Sequence, residues 1–173
     1  MFGPSSPTQR DHGAPLPRRR AFALSALWFS AALAVSAWTS SSGAGSTDLL
    51  VVVHPSNSAS RLDRGDLRRI FQTSKKSWPS GGRIEPLNLP EGTSQREQFD
   101  RAVLGFSPDE TIRFWIDRKV RGDARPPRKV ATPAAVVNYV ASSPGAIGYV
   151  PSGVPTGGVR VVARVSGQQV KTP

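Results

Sequence analysis

Leu49 to His54 is an apolar run rich in valine, bounded by Pro55-Ser56-Asn57. It predicts a buried strand, and its unbroken apolarity predicts a parallel sheet covered on both faces. The period then changes. Leu67, Ile70 and Phe71 lie at i, i+3, i+4, which predicts a helix over Arg64–Gln72 with Asp63 as its N-cap. Ile84–Leu89 alternates enough for a second strand, and Pro86 places it at an edge or a bulge. Ser94-x-x-Glu97 has the form of a capping box, so a helix is expected to start at Ser94, carry Phe99, Ala102 and Val103 as its apolar stripe, and close at Gly105. Ser107-Pro108-Asp109-Glu110 opens another helix, whose buried face would be Ile112, Trp115, Ile116 and Lys119-Val120. Lys129–Ala131 offers a short strand. Val136, Val137 and Val140 share one face of a helix over Pro133–Ser142, which Pro144-Gly145 stops. Ile147–Val150 then reads as a short buried strand and Val159–Val165 as the final one. Helices and strands alternate, so the expected class is α/β with a mostly parallel sheet. Its core would join Val51, Leu67, Phe71, Phe99 and Trp115 with Val136, Val137, Val140 and Ile147.

Residues 1–46 stand outside this alternation. Met1–Arg20 is rich in Pro, Gly and polar residues and ends in Arg18-Arg19-Arg20. Ala21–Trp38 runs 18 residues without a charge, and Thr39–Thr47 is a Ser/Gly/Ala linker. A basic flank, an apolar run and a small-residue exit describe a secretion signal, with Val35-Ser36-Ala37 or Ser42-Gly43-Ala44 for the peptidase. An uncleaved membrane anchor is the alternative, since 18 apolar residues stand at the lower limit for a span. Arg19-Arg20-Ala21-Phe22 partly matches a twin-arginine export signal. Either way residues 47–173 are expected outside the cytoplasm, in the periplasm or at the outer face of the membrane.

The 173-residue chain has no cysteine, so a lipobox, disulfides, thiol catalysis and Cys-based metal sites are excluded. Its two histidines, His12 and His54, form no cluster for metal or base chemistry. No Ser-His-Asp set, P-loop or metal motif is visible, so no catalytic residue, metal ligand or cofactor is expected and the chain is not read as an enzyme. Of 23 Lys and Arg against 12 Asp and Glu, only four and one precede Asp48. The basic balance permits anionic partners such as phosphate, polyanions, anionic lipids or nucleic acid, and most of it equally fits a solvated helix surface. Lys75-Lys76 beside Trp78 fits a basic helix exit better than a nucleic-acid contact, and no nucleic-acid partner is expected.

Two segments carry a family resemblance. Ser143-Pro-Gly-Ala-Ile-Gly-Tyr-Val-Pro151 follows a helix, and upstream stand Leu67-Arg-Arg-Ile-Phe71, Trp78-Pro79, Gly81-Gly82 and Ile84-Glu-Pro-Leu-Asn88. Together, over Asp48–Pro151, they resemble the phosphate-binding periplasmic proteins of ABC transporters. The resemblance implies a three-layer single lobe of the type II periplasmic-binding-protein-like fold. It also implies an exported solute-binding-type domain taking inorganic phosphate or a related anion weakly, with an ABC permease or another copy of itself as partner. In that family a Gly/Ser/Thr loop at a helix start and an arginine hold the anion, and Glu91–Arg96 occupies the corresponding place. The candidate ligands are Gly92, Thr93, Ser94 and Arg96: close backbone approach, two hydroxyls and a guanidinium fork. Glu91 would repel an anion, Asn88-Leu89 stands where the family has a further arginine, and the other lobe has no counterpart here. The same Ser94-x-x-Glu97 serves equally as a plain helix cap. An extracytoplasmic structural or interaction domain that has lost its ligand, and a basic polyanion binder, therefore remain as alternatives.

Overall fold

The computed structural model describes residues 48–173. The expected leader, residues 1–46, lies outside the described residues. Among the described residues no helix is long and apolar enough to cross a membrane.

The order of elements is β1 (Leu49–Val53), α1 (Arg64–Phe71), β2 (Glu85–Asn88), α2 (Ser94–Phe99), α3 (Pro108–Val120), β3 (Arg128–Lys129), α4 (Pro133–Ser142), β4 (Ala146–Pro151), β5 (Arg160–Ser166) and β6 (Gln169–Lys171). A π-helical turn, Asp100–Leu104, continues α2 and ends at Gly105, whose φ of 74° is the left-handed cap expected there. The six strands form one sheet in the order β3-β2-β4-β1-β5-β6. Four of them, β2, β3, β4 and β5, run one way. β1 and β6 oppose them, so β4–β1, β1–β5 and β5–β6 pair antiparallel. The parallel pairings expected from the apolar run at β1 are thus found only among β3, β2 and β4. That run reports burial on both faces, which β1 has along its whole length, and carries no information on strand direction.

Neighbouring residues of a strand point to opposite faces, and β4 shows both. Tyr149 stacks on Phe99 of α2 at 3.8 Å between ring centroids, and Phe71 of α1 lies 5.9 Å away. Gly148, one residue earlier, faces Val136 of α4. Helices therefore cover both faces, giving the three-layer α/β lobe.

This arrangement explains the glycines in Pro144–Val150. A Cβ on Gly148 would run into the Val136 side chain, and one on Gly145 would meet the backbone carbonyl of Arg83. The Gly145 carbonyl accepts from Trp78 Nε1 at 3.1 Å and from the backbone N–H of Glu85 at 2.9 Å. The two resembling segments thus meet at one residue. Gly148→Ala is expected to cost about 1–3 kcal/mol by overpacking α4 against the sheet. Denaturant midpoints measure it; an unchanged midpoint would mean that α4 can back away freely.

Several expectations need correction. Pro86 marks a local edge and not an edge strand: β2 is flanked by β4 and β3, but β3 begins only opposite Leu87, so the missing N–H of Pro86 leaves no ladder bond broken. Val159–Val165 is not followed by the end of the sheet; Gly167, at φ 57°, turns the chain into β6. The helix at Ser94 is capped one residue earlier, by Thr93, whose Oγ1 accepts from the Arg96 N–H. The largest error concerns α3. Ser107 and Glu110 form the expected capping box, but Ile112, Ile116 and Val120 are 52%, 57% and 81% exposed, Lys119 is exposed, and Trp115 is only half-buried. Thr111 is the one fully buried residue of the helix. Periodicity shows that a helix has an apolar face, not that anything covers it. The other residues named for the core are buried together.

Candidate functional site

β2 and β3 end side by side at Asn88 and Lys129, and the chain turns from β2 through Gly92 into α2. Ligands of open α/β sheets characteristically bind outside such carboxyl ends. Here the ends open on a cleft of about 580 Å³. Its floor and near wall include Asn88, Gly92, Arg96 and Asp100; its far wall is α3, through Thr111, Ile112, Trp115 and Ile116. Glu91 and Lys129 stand at the mouth, 4.0 Å apart and both exposed.

Of the four expected ligands, Gly92 and Arg96 reach this cleft, and Thr93 and Ser94 are not among its lining residues. Gly92 has φ 78°, a conformation that favours glycine. The Thr93 hydroxyl is already used twice: it accepts from the Arg96 N–H and donates to the Pro90 carbonyl at 2.7 Å. Ser94 is exposed at the first helical position.

Arg96 is 6% exposed and Asp100 4%, one helical turn apart. Arg96 Nε donates to Asp100 Oδ2 at 2.7 Å, and Nη1 donates to the Leu89 carbonyl at 3.3 Å. The Leu89 N–H in turn donates to the Tyr149 hydroxyl at 3.4 Å. The ion pair therefore belongs to a buried network that ties α2 to the end of β2 and to β4. Burial pushes the Asp100 carboxyl above its ordinary value and Glu91 adds to this, against the opposing pull of Arg96. Thr111 pulls with Arg96, yet its Oγ1 and Asp100 Oδ1 both lack a hydrogen-bond partner of sound geometry. Burial likewise raises the Tyr149 phenol well above its ordinary value.

Four residues lining the cleft each carry a buried polar atom with no hydrogen-bond partner: Asn88 Oδ1, Asp100 Oδ1, Thr111 Oγ1 and Trp115 Nε1. Each such atom costs about 1–3 kcal/mol unless something pairs with it, and such groups are few in native proteins. Of these residues, Asp100 could have been found from its spacing to Arg96, i to i+4 on a helix. Trp115 was visible but assigned to the core. Thr111 and Lys129 carried no signal of their own. Among the described residues no group of three or more His, Cys, Asp or Glu is placed to hold a metal ion.

No protein-family model matches this chain, and no curated protein does. Solved structures do match. The chain is similar to an ABC-type phosphate transport receptor from Vibrio cholerae (TM-score 0.54, 17% identity), covering 68% of this chain and 47% of that one. A phosphate ABC transporter substrate-binding protein with bound phosphate, from Clostridium perfringens, gives a TM-score of 0.53 and 18% identity over 68% of this chain and 46% of that one. PstS from Borrelia burgdorferi gives 0.52 and 15% over 66% and 46%. At these identities the likeness is one of fold: the α/β lobe described above is the fold of about half of each of these binding proteins. The chain spans less than half the length of the solved structures it matches.

Proposed function

We propose that this chain is an exported solute-binding-type domain related to the phosphate-binding proteins of ABC transporters, holding phosphate or a similar anion weakly. The observation that carries this reading is the cleft at the ends of β2 and β3, where two buried donors without partners, Thr111 Oγ1 and Trp115 Nε1, line the same cavity as Arg96, while the unpartnered Asn88 Oδ1 and Asp100 Oδ1 can only accept and so weaken an anion's hold. The fold shared with phosphate-binding neighbours supports it. Weakness follows from the residues. Thr93 is spent on its cap, the Arg96 guanidinium is held by Asp100 and Leu89, and Glu91, Glu97 and Asp100 bring three carboxylates to the cleft. A permease or a second copy of the chain would close the open side. The pairing of Arg96 with Asp100 favours one further reading, an interaction domain that has lost its ligand.

Phosphate titration by calorimetry and NMR discriminates the two. The expected dissociation constant is about 1 mM, or about 4 kcal/mol. Asp100→Asn, which releases Arg96 toward the cleft, should tighten it. Silence of both proteins at tens of millimolar phosphate would leave the interaction reading in place. Export is tested separately: a reporter enzyme active only outside the cytoplasm, fused after Pro173, should be active, and a stable but inactive fusion would refute it.

A further inference from the structure

On the flank of β2, sharing Pro126 and Pro127 with the cleft but none of its charged residues, lies a second and larger concavity of about 770 Å³. It is bounded by the turn after α1, by Ile84 and β2 as far as Leu87, and by the loop from Ala124 to Pro127 that leads into β3 at Arg128. It exists because β3 is only two residues long and starts opposite Leu87, so the first half of β2 pairs with β4 on one side and has no strand on the other. Five cations line this groove: Lys75, Lys76, Arg83, Arg125 and Arg128. The only carboxylate among its lining residues is Glu85.

The engagement of these groups is uneven. Lys75 pairs with Asp66 at 3.0 Å. Arg128 donates to the Tyr139 hydroxyl at 3.2 Å, its guanidinium lying 4.8 Å from that ring's centre, and Tyr139 donates to Glu85 at 3.0 Å. Lys76, Arg83 and Arg125 are exposed and make no ion pair among the described residues. Gathering cations without counter-charges is unfavourable in the free protein. The groove also holds Thr73, at φ 56° the only non-glycine residue with positive φ among the described residues, with a buried, unpartnered Oγ1. A β-branched residue there is strained, and such strain collects at functional sites.

We infer that this groove is a binding site for a linear phosphate polyanion, distinct from the cleft and independent of the function proposed for it. The lining selects the class. Guanidinium forks suit phosphate oxygens. The one aromatic ring, Tyr139, already has one face taken by Arg128, and no second ring lines the groove for successive bases to stack on. The one carboxylate is bound by Tyr139, which leaves little to accept from sugar hydroxyls. A bare chain of phosphates, dense in charge and open to contact from either side, fits a groove of this make-up.

The test is titration of the full-length protein with inorganic polyphosphate of defined length at several salt concentrations. The triple variant Lys76→Ala/Arg83→Ala/Arg125→Ala should lose about tenfold or more in affinity. Its dependence of log K on log salt should be shallower by about 2, three cations at the value for a single phosphate chain. A control with the same charge change on exposed residues off the groove, Arg61→Ala/Arg113→Ala/Lys119→Ala, should lose about twofold at most. Circular dichroism checks that both triples are folded. Equal losses in the two triples would overturn the site in favour of net charge alone, as would absence of binding to wild type. Single-stranded DNA or polygalacturonate bound as tightly as polyphosphate would overturn the ligand class.

Discussion

Asp100→Ala is expected to destabilise the protein by about 3–5 kcal/mol, the cost of leaving one member of a buried ion pair without its partner. The site meets the condition for so large an effect. Both side chains are nearly inaccessible, and Arg96 Nε has no other acceptor than Asp100 Oδ2. The second half of the prediction separates ionic need from ionic benefit. Replacing both residues by apolar ones, Arg96→Met with Asp100→Leu, should restore most of the loss, because no charge then remains to be desolvated. Chemical denaturation of wild type, Arg96→Met, Asp100→Leu and the double variant gives the cycle; a double variant as unstable as Asp100→Ala would show that the pair is indispensable to the packing. The pH dependence has a definite sign. Burial holds the native Asp100 carboxyl above its ordinary value, so the folded chain retains this proton when the unfolded chain has lost it. Stability from this group is full below the unfolded value and is lost as pH rises through the raised native value. Asp100→Asn should remove that descending step from a plot of denaturation midpoint against pH.

The pair also shows where reading a sequence stops. Gly92, Thr93, Ser94 and Arg96 stood out because glycine, hydroxyls and an arginine at a helix start have the composition of an anion loop. Composition does not say which way a hydroxyl donates. Thr93 gives its proton to Pro90, four bonds of the α2 cap and turn are settled locally, and Arg96 turns inward to Asp100. The same limit applies to α3. Its apolar stripe was legible, but Ile112 and Ile116 line an open cleft and, like Val120, stay exposed, because burial is decided by what other elements reach and nothing in the helix encodes that. The strands fared better. β1, β2, β4 and β5 were visible as apolar or alternating runs, and β6, three residues long with only Val170 apolar, was not. The Pro144–Val150 motif was informative for a steric reason: Gly145 and Gly148 are required by Arg83 and Val136, so the motif records how α4 and the Trp78 turn pack on β4. It is evidence for the fold and carries no ligand chemistry.

Phe71→Ala is expected to cost about 3–5 kcal/mol, as large-to-small changes at fully buried aromatic rings do. Three residues, Leu67, Ile70 and Phe71, carry the buried face of α1. Phe71 is the largest of them, and it meets the Phe99 ring edge-on at 4.6 Å while lying 5.9 Å from Tyr149. Phe99 and Tyr149 are themselves stacked face to face, one on α2 and the other on β4, and Tyr149 is bonded to the Leu89 N–H. Neither ring can move into the space without giving up that stack or that hydrogen bond, so the cavity left by Phe71 should stay open. The edge contact adds about 0.5–1.5 kcal/mol beyond the area lost. Phe71→Leu keeps much of the volume and should cost clearly less. The denaturant dependence should keep its slope while the midpoint falls, the mark of a change in stability alone. A midpoint within error of wild type would mean that α1 does not depend on this ring for its place on the sheet, and the three-ring contact would then have to be read as incidental to the core.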